Sequence, residues 1–226
     1  MSRFRAGVLT FPGSNCDHDI VQVLREFFDA RVDLLWHRDS IAETYDLLVV
    51  PGGFSFGDYL RAGAMARVAP AMNSLKGHAE AGRPVLGICN GFQILCEAGL
   101  LPGALVRNIS LKHICKTVQI KPAGSAAFTE GLDPARSLSI PVSHSDGNYR
   151  IDDDGLAVLQ DRGGIAFRYD DNPNGSVFDI AGVVNAGGNV LGMMPHPERA
   201  VDPLTGGQDG RVILERVAAL AAGVTA

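Results

Sequence analysis

The pattern of apolar and polar positions divides the chain near residue 99. Before it, short runs rich in leucine and β-branched residues alternate with longer stretches of helical spacing. The short runs predict strands at 6–10, 32–36, 47–50 and 85–88, and the longer ones predict helices within 20–28 and 59–81. Strands that alternate with helices favour right-handed crossovers, so we expect an α/β fold with an open, mostly parallel sheet flanked by helices.

The second half of the chain has several short strand patterns with little helix between them. They lie at 117–120, 137–142, 165–169 and 180–185, and a Gly-Gly-Asn turn at 187–189 predicts a hairpin into 190–193. A last helix is expected at 210–222. Since no repeat or linker divides the chain, we expect one domain over residues 1–226 with extra antiparallel strands in its second half.

Composition and charge exclude several classes of partner. Of 226 residues, 46% are hydrophobic and 20% charged, which is enough apolar material for a core. The net charge of −5 comes without a basic run, so no nucleic acid is expected. The residues after position 1 do not resemble a signal peptide, and no apolar segment approaches the roughly 20 residues that cross a membrane, which predicts a cytoplasmic protein.

Four cysteines show no pairing typical of a disulfide framework or a zinc site. The pairs Cys16/His18 and His113/Cys115 lack a second pair at metal spacing, so no metal is expected. Cys96 lies within a predicted helix and is interpreted as a small buried hydrophobe.

The sequence Gly87-Ile88-Cys89-Asn90-Gly91 has the form glycine-x-nucleophile-x-glycine where a strand passes into a helix. The two glycines give a sharp turn the room it needs. A cysteine at the N-terminus of the following helix lies in a field that favours the thiolate. Cys89 is therefore the candidate nucleophile, and the alternative is a cysteine that only fills the core.

A cysteine nucleophile needs a base, and the base needs a group that orients it. In Pro195-His196-Pro197-Glu198 the prolines favour an extended backbone, and residues two apart in an extended chain face the same way. Glu198 would then bind one ring nitrogen of His196 while the other faces the sulfur. A histidine that merely ends a strand is the alternative.

The glycine-rich loop at 51–58 lacks the Gly-Lys-Ser/Thr ending of a phosphate-binding loop. Its glycines can turn main-chain N–H groups toward the nucleophile. We therefore predict that the amides of Gly52 and Gly53 form an oxyanion hole with the amide of Asn90. A plain chain reversal is the alternative.

Together, the strings PGGFSFGD at 51–58, GICNGFQ at 87–93 and HPER at 196–199 resemble the class I glutamine amidotransferases. With FPGSNCD at 11–17, the chain is similar from end to end to the glutaminase subunits of phosphoribosylformylglycinamidine synthases. The resemblance implies a flavodoxin-like fold and a glutamine amidotransferase type 1 domain.

The resemblance also implies roles for individual residues. Cys89, His196 and Glu198 would be the catalytic triad, and Gln93 would help to hold the substrate glutamine. The segment HSDGNY at 144–149 is similar to a substrate-side loop that reads HGEGNY in the family, which adds His144, Ser145 and Gly147 as substrate-binding residues. Ser145 and Asp146 depart from the family pattern.

The resemblance further implies that this chain needs no cofactor. ATP and Mg would be used by a large synthetase subunit, joined through a small accessory subunit, which turns formylglycinamide ribonucleotide into formylglycinamidine ribonucleotide with the ammonia released here. Two alternatives remain at this point: another cysteine hydrolase of similar fold, such as a γ-glutamyl hydrolase, or a subunit that binds and regulates without catalysis.

Overall fold

The computed structural model describes residues 4–124 and 126–223, and a parallel sheet forms the first half of this part. The strands are short and buried, as expected where helices cover a sheet. Four of the strand predictions are confirmed to within a residue: β1 (Arg5–Thr10), β2 (Arg31–Trp36), β3 (Leu47–Val50) and β4 (Val85–Ile88). β1 pairs in parallel with β2 and β3, and β3 pairs in parallel with β4.

The second half of the chain extends the same sheet. Its strands are β6 (Ile114–Pro122), β7 (Leu138–His144), β9 (Ile165–Tyr169), β10 (Ile180–Val184) and β11 (Val190–Met193). β11 lies parallel to β4, and the pairs from β11 through β10, β9 and β6 to β7 are antiparallel. The strand order is β2-β1-β3-β4-β11-β10-β9-β6-β7. A separate ribbon pairs β5 (Ala104–Val106) with β8 (Asn148–Arg150).

In the part of the chain that the structure describes, five α-helices accompany the sheet: α1 (Asp17–Phe28), α2 (Pro70–Glu80), α3 (Asn90–Glu97), α4 (Asp153–Asp161) and α5 (Asp209–Ala221). Short 3-10 turns occupy Ser55–Asp58, Ala66–Val68, Val177–Asp179 and Pro197–Arg199. α1 packs on β1 and β2, α3 on β3, β4 and β11, and α5 on β7. The predicted fold class is confirmed. Among the described residues, none of the helices has the length and apolar character that a membrane span requires.

Two predictions from periodicity are wrong in detail. The helix expected over 59–81 forms only from Pro70, because proline is well suited to the first position of a helix and left-handed backbone at Leu60 and Gly63 interrupts the chain before it. Helix α4 was not predicted. Asp152 caps it by accepting a hydrogen bond from the amide of Gly155 at 2.8 Å, a signal that the short strand patterns on either side obscured.

The sheet and α3 meet in very close contact at one glycine. A Cβ atom at Gly91 would lie 1.8 Å from the carbonyl oxygen of Val50, at the end of β3. Neither the backbone of β3 nor that of α3 can yield without moving the sheet. The absence of a side chain at Gly91 therefore brings the helix that follows Cys89 directly against the strand that leads into the glycine-rich loop.

This contact predicts different effects for two Gly→Ala substitutions in helices. Gly91→Ala should lower the free energy of unfolding by about 3 kcal/mol, because the new methyl group overlaps main-chain atoms. Gly77→Ala, in α2, is the matched control: nothing lies within 4 Å of its Cβ position, so alanine should raise stability by about 0.5–1 kcal/mol. Urea denaturation of both variants tests this, and equal effects at the two positions would contradict it.

Candidate active site

Cys89 lies in a strained turn between β4 and α3. Its backbone angles are φ 50° and ψ −105°, outside the regions that L-residues ordinarily occupy, and its amide is held by the carbonyl of Met193 at 2.8 Å. A Cβ at Gly87 would lie 2.9 Å from the backbone of Gly91, so the turn requires glycine there. Strain of this kind is typical of functional positions. The residue stands directly before the first turn of α3, where N–H groups have no partner within the helix.

His196 and Glu198 form a buried pair beside this turn. The two residues are 1% and 4% exposed, and Nδ1 of His196 lies 2.6 Å from Oε1 of Glu198. Pro197 begins the short 3-10 turn between them, and the amide of His196 donates to the carbonyl of Pro141 on β7. Because Nδ1–H donates a hydrogen bond to the carboxylate, Nε2 of the ring remains for another partner.

The charge state of His196 follows from its neighbours. Burial acts to lower the pKa of the ring, but the negative charge of Glu198 and the sulfur of Cys89 outweigh it, and the pKa stands well above its ordinary value. These neighbours favour the imidazolium form of the ring. A ring of this kind that is fixed by a carboxylate and lines the same small cavity as a cysteine is the arrangement that a nucleophilic cysteine needs.

A second sulfur lies against the same ring. A sulfur atom of Cys16, a ring nitrogen of His196 and a carboxylate oxygen of Glu198 lie within 4.8 Å of one another. These are metal-ligand types, yet Nη2 of Arg199 donates to the Cys16 sulfur at 3.0 Å, and the sulfur lies 3.1 Å from Oδ1 of Asn15. The sulfur thus donates to Asn15 and accepts from Arg199.

The two sulfurs therefore differ in what they are free to do. The sulfur of Cys16 is held by Asn15 and Arg199. The sulfur of Cys89 has a longer hydrogen bond of 3.6 Å to the carbonyl of Ser143, and it lines the larger cavity of the site. Of the two, Cys89 is the sulfur that has both backbone strain and access to a substrate.

The glycine-rich loop is held beside Cys89 by the segment that follows β1. The amide of Cys16 donates to the carbonyl of Gly52 at 3.2 Å, and the amide of Phe54 donates to the carbonyl of Gly13 at 2.9 Å. The side chain of Asn90 accepts from the amide of Ser55 at 3.1 Å. Since the amides of Phe54 and Ser55 are engaged, the main-chain donors left for an oxyanion include the three that were predicted, those of Gly52, Gly53 and Asn90. The carbonyl of Gly52, not its amide, is the group that Cys16 binds.

The cavity in front of Cys89 has a volume of about 340 Å³. His144 and Ser145, predicted to bind substrate, line it, and so does Gln93. Both polar atoms of the Gln93 side chain, however, are engaged within the protein. Its Nε2 donates to the carbonyl of Asp146 at 2.7 Å, and its Oε1 accepts from the side chain of Asn90 at 2.8 Å. Gln93 thus joins the substrate-side loop to the nucleophile turn.

The structure places Gly147, the fourth predicted substrate residue, behind the ring of His144, where a Cβ would lie 2.4 Å from ring atoms. Its amide donates to Oδ1 of Asn108. Sequence reasoning did not single out the charged groups that also line the cavity, which are Asp58, Arg61, Arg107 and Asp146. Two of these, Asp58 and Asp146, lie inside strings that carried the resemblance, so position within a motif was the available signal.

The site combines a strained cysteine with a buried histidine-glutamate pair and a flanking glycine-rich loop, all at the carboxyl ends of parallel strands. This combination is typical of the class I amidotransferases that use a cysteine nucleophile. Residues 3–208 match the CobB/CobQ-like glutamine amidotransferase domain. The chain belongs to this family, within the group of phosphoribosylformylglycinamidine synthase subunit PurQ, and the resemblance found in its sequence is confirmed.

The similarity to individual relatives is extensive. Subunit PurQ from two strains of Leptospira interrogans is 52% identical over 216 residues, which is 94% of this chain and 98% of the relative. The structure of PurLQS from Thermotoga maritima contains a chain with a TM-score of 0.86 and 41% identity, covering 96% of this chain and 98% of that one. A second Thermotoga maritima structure, a glutamine amidotransferase, is similar in fold only, with a TM-score of 0.64 and 16% identity over 99% of both chains.

The His196–Glu198 pair predicts the effect of removing one charge. Glu198→Gln keeps an acceptor for Nδ1 but removes the negative charge, so the pKa of His196 should fall toward the ordinary value. NMR titration of protein labelled with ¹⁵N-histidine measures this directly. Glu80→Gln, on the exposed face of α2, is the control and should leave the titration unchanged. An unaltered His196 titration in Glu198→Gln would show that the carboxylate does not set the charge of the ring.

Proposed function

We propose that the chain is the glutaminase subunit of a phosphoribosylformylglycinamidine synthase, which hydrolyses glutamine to glutamate and ammonia and passes the ammonia to a synthetase subunit. The observation that carries the proposal is that Cys89 and His196 line one small cavity, with the imidazole fixed from its other side by Glu198. The identity of 52% to subunit PurQ of phosphoribosylformylglycinamidine synthase supports the same conclusion.

The first step forms a thioester. The thiolate of Cys89 attacks the side-chain carbonyl carbon of glutamine, and a carbon-sulfur bond forms. Protonated His196 gives its proton to the departing nitrogen as the carbon-nitrogen bond breaks, so ammonia leaves and a γ-glutamyl thioester remains. The raised pKa of His196 suits this order of events, because the ring begins as an acid and ends the step as a neutral base.

The second step returns the enzyme to its starting state. Neutral His196 takes a proton from water as the oxygen of that water attacks the thioester carbonyl. The carbon-sulfur bond then breaks, glutamate leaves, and the thiolate and imidazolium are restored. The amides of Gly52, Gly53 and Asn90 would stabilise the oxyanion in both steps, where each donor is typically worth about 3–4 kcal/mol.

The chemistry requires no cofactor in this chain, since each bond change is served by sulfur, imidazole and main-chain amides. We assign the use of ATP and Mg to the synthetase partner, together with the conversion of formylglycinamide ribonucleotide, and place the complex with its accessory subunit in the cytoplasm. The PurLQS structure from Thermotoga maritima contains a chain related to this one, which supports the existence of such partners.

Exposed apolar side chains at the mouth of the cavity indicate where the synthetase would bind. Tyr59 is 74% and Leu60 is 89% exposed, and Ile109 and Leu111 are exposed on the segment that follows the cavity residue Arg107. Leu60 and Leu111 also have left-handed backbone, with φ of 70° and 59°. Left-handed backbone at a leucine costs free energy, and exposed apolar patches are typical of surfaces that bind a partner. Ammonia that met water here would be protonated and lost as a nucleophile, so the partner must close this opening.

Cys89→Ala tests the nucleophile. In the assembled complex this variant should lose glutamine-dependent synthesis while synthesis from added ammonia continues, because only the sulfur is removed. Cys115→Ala, at an exposed cysteine, is the control and should keep both activities. A glutamine-mimicking diazo-ketone should label Cys89 in the unaltered chain, and glutamine should suppress the labelling. Persistent glutamine-dependent turnover in Cys89→Ala would refute the assignment, and a non-catalytic subunit would take up no label.

Leu60→Glu tests the partner surface. A charge at the mouth of the cavity should weaken binding of the synthetase subunit by at least about tenfold, because it would be desolvated in the interface. Leu204→Glu is the matched control at a leucine that is 91% exposed and does not line this cavity. Analytical ultracentrifugation of the purified subunits measures both. Equal binding by the two variants would place the interface elsewhere.

A further inference from the structure

A sulfur, an imidazole and a carboxylate meet in a buried cluster behind the nucleophile. The cluster consists of Sγ of Cys16, a ring nitrogen of His196 and a carboxylate oxygen of Glu198, which all lie within 4.8 Å of one another. The three residues are buried. Cys16 stands directly before α1, whereas the other two follow β11, so no short sequence motif could have revealed the cluster. Cys16 has no part in the proposed reaction, which leaves its sulfur for another role.

The glycine-rich loop keeps the space between this sulfur and the ring open. A Cβ atom at Gly52 would lie 3.1 Å from Sγ of Cys16 and 2.7 Å from Cε1 of His196. The sulfur and the imidazole therefore approach the same point of the backbone, with no side chain from the loop between them. The amide of Cys16 also donates to the carbonyl of Gly52 at 3.2 Å, which fixes the sulfur on this side of the loop.

One carboxylate oxygen of the cluster lacks a donor. Oε1 of Glu198 accepts from Nδ1 of His196 at 2.6 Å. Oε2 is buried, and it has no hydrogen-bond partner among the residues that the structure describes. The side chain of Glu198 has no exposed surface from which water could serve that oxygen. An unpaired carboxylate oxygen at such a position costs free energy, and a cation bound to the carboxylate would remove this cost.

The sulfur of Cys16 is oriented by groups that suit a metal-bound thiolate. Nη2 of Arg199 donates to the sulfur at 3.0 Å, and Nε of the same guanidinium donates to Asp19 at 3.2 Å. Hydrogen bonds from such outer groups orient a ligand and tune its affinity for a metal. The proton that the sulfur donates to Asn15 is the one that a metal ion would displace.

We propose that the cluster of Cys16, His196 and Glu198 binds Zn²⁺ and that the bound ion inhibits the enzyme. Thiolate, imidazole and carboxylate are the three ligand types that proteins use for zinc, at distances of about 2.0–2.3 Å from the ion. The sulfur favours zinc over magnesium or calcium, which prefer oxygen ligands alone. Zn²⁺ with one thiolate, one carboxylate and a neutral imidazole has no net charge, which suits a buried position.

A route to the cluster exists from the catalytic side. Cys16, His196 and Arg199 line a small cavity of about 50 Å³ together with Cys89. The fourth position of a tetrahedral ion would face this cavity and hold water. Cys89 lies outside the group of ligand atoms that are mutually within 4.8 Å, so it is not assigned as a ligand.

Inhibition follows from the shared histidine. A ring nitrogen that binds zinc gives up its proton to solvent, and Glu198 turns from the partner of His196 to a ligand of the ion. The imidazole then lacks both the proton for the departing nitrogen and the carboxylate that fixes its orientation. Zinc and turnover therefore exclude each other.

Zinc binding to the purified chain tests the ligands without any turnover. Affinity for Zn²⁺ is measured by competition with a chromophoric chelator. Cys16→Ser should weaken binding by at least about 100-fold, because a direct ligand is lost, and Glu198→Gln by at least about tenfold. Cys115→Ser, at an exposed cysteine, is the matched control and should bind zinc as the unaltered chain does. Equal affinity in Cys16→Ser and the unaltered chain would overturn the assignment.

Zinc X-ray absorption spectroscopy gives a second readout that does not require Cys16→Ser to fold. In a chain with Cys115→Ser, the spectrum should show one sulfur at about 2.3 Å and otherwise nitrogen and oxygen ligands. The same single sulfur should remain when Cys89→Ala is added. Two sulfurs, or loss of the sulfur signal in Cys89→Ala, would show that the nucleophile binds the ion and that the proposed ligand set is wrong.

The inhibitory effect is measured in the assembled complex. Zn²⁺ should abolish glutamine-dependent synthesis, a chelator should restore it, and synthesis from added ammonia should continue, because the partner's chemistry does not use this cluster. Glutamine-dependent synthesis that persists with zinc bound would refute inhibition. The two binding measurements do not depend on the proposed function, so a chain that binds zinc as described but releases no ammonia from glutamine would contradict the proposed function alone.

Discussion

The structure depends on a positive charge buried in the protein, on the imidazole ring of His196. Desolvation opposes such a charge, and the ring keeps it only because Glu198 lies on one nitrogen and the sulfur of Cys89 acts from another direction. Removal of either neighbour would leave an uncompensated charge or neutralise the ring. The interaction therefore favours the proton on the ring that acts as the acid, and much of the surrounding backbone serves to hold these three groups in place.

The backbone does so through close contacts that only small residues allow. Gly91 brings α3 against the end of β3, and the strained turn at Cys89 points the sulfur out of the sheet. The segment after β1 binds the glycine-rich loop through the amide of Cys16 and the carbonyl of Gly13. Stability and function meet here, since the same hydrogen bonds that close the fold hold the glycine-rich loop beside Cys89.

The sequence predicts best what is local. Strands β1 to β4, the hairpin before β11 and the triad residues stand in short strings whose spacing reflects the turn that they form, and the structure has these strands where periodicity places them. The features that the sequence could not predict arise from contacts between segments that are distant along the chain. The sulfur of Cys16 reaches Arg199 across 183 positions, and the cavity residues Arg61 and Arg107 pair with Glu97 and Asp146 from other segments. Helix α4 was not predicted because it has few apolar positions and its N-terminal cap is its only distinctive feature.

Two sulfurs beside one imidazole make the identity of the nucleophile the central claim. Rapid quenching of the assembled complex during turnover of glutamine, followed by mass mapping of peptides at acidic pH, tests it directly. The account predicts a γ-glutamyl adduct on the peptide that contains Cys89 and none on the peptide that contains Cys16. An adduct on Cys16, or glutamate production with no adduct on either cysteine, would contradict it.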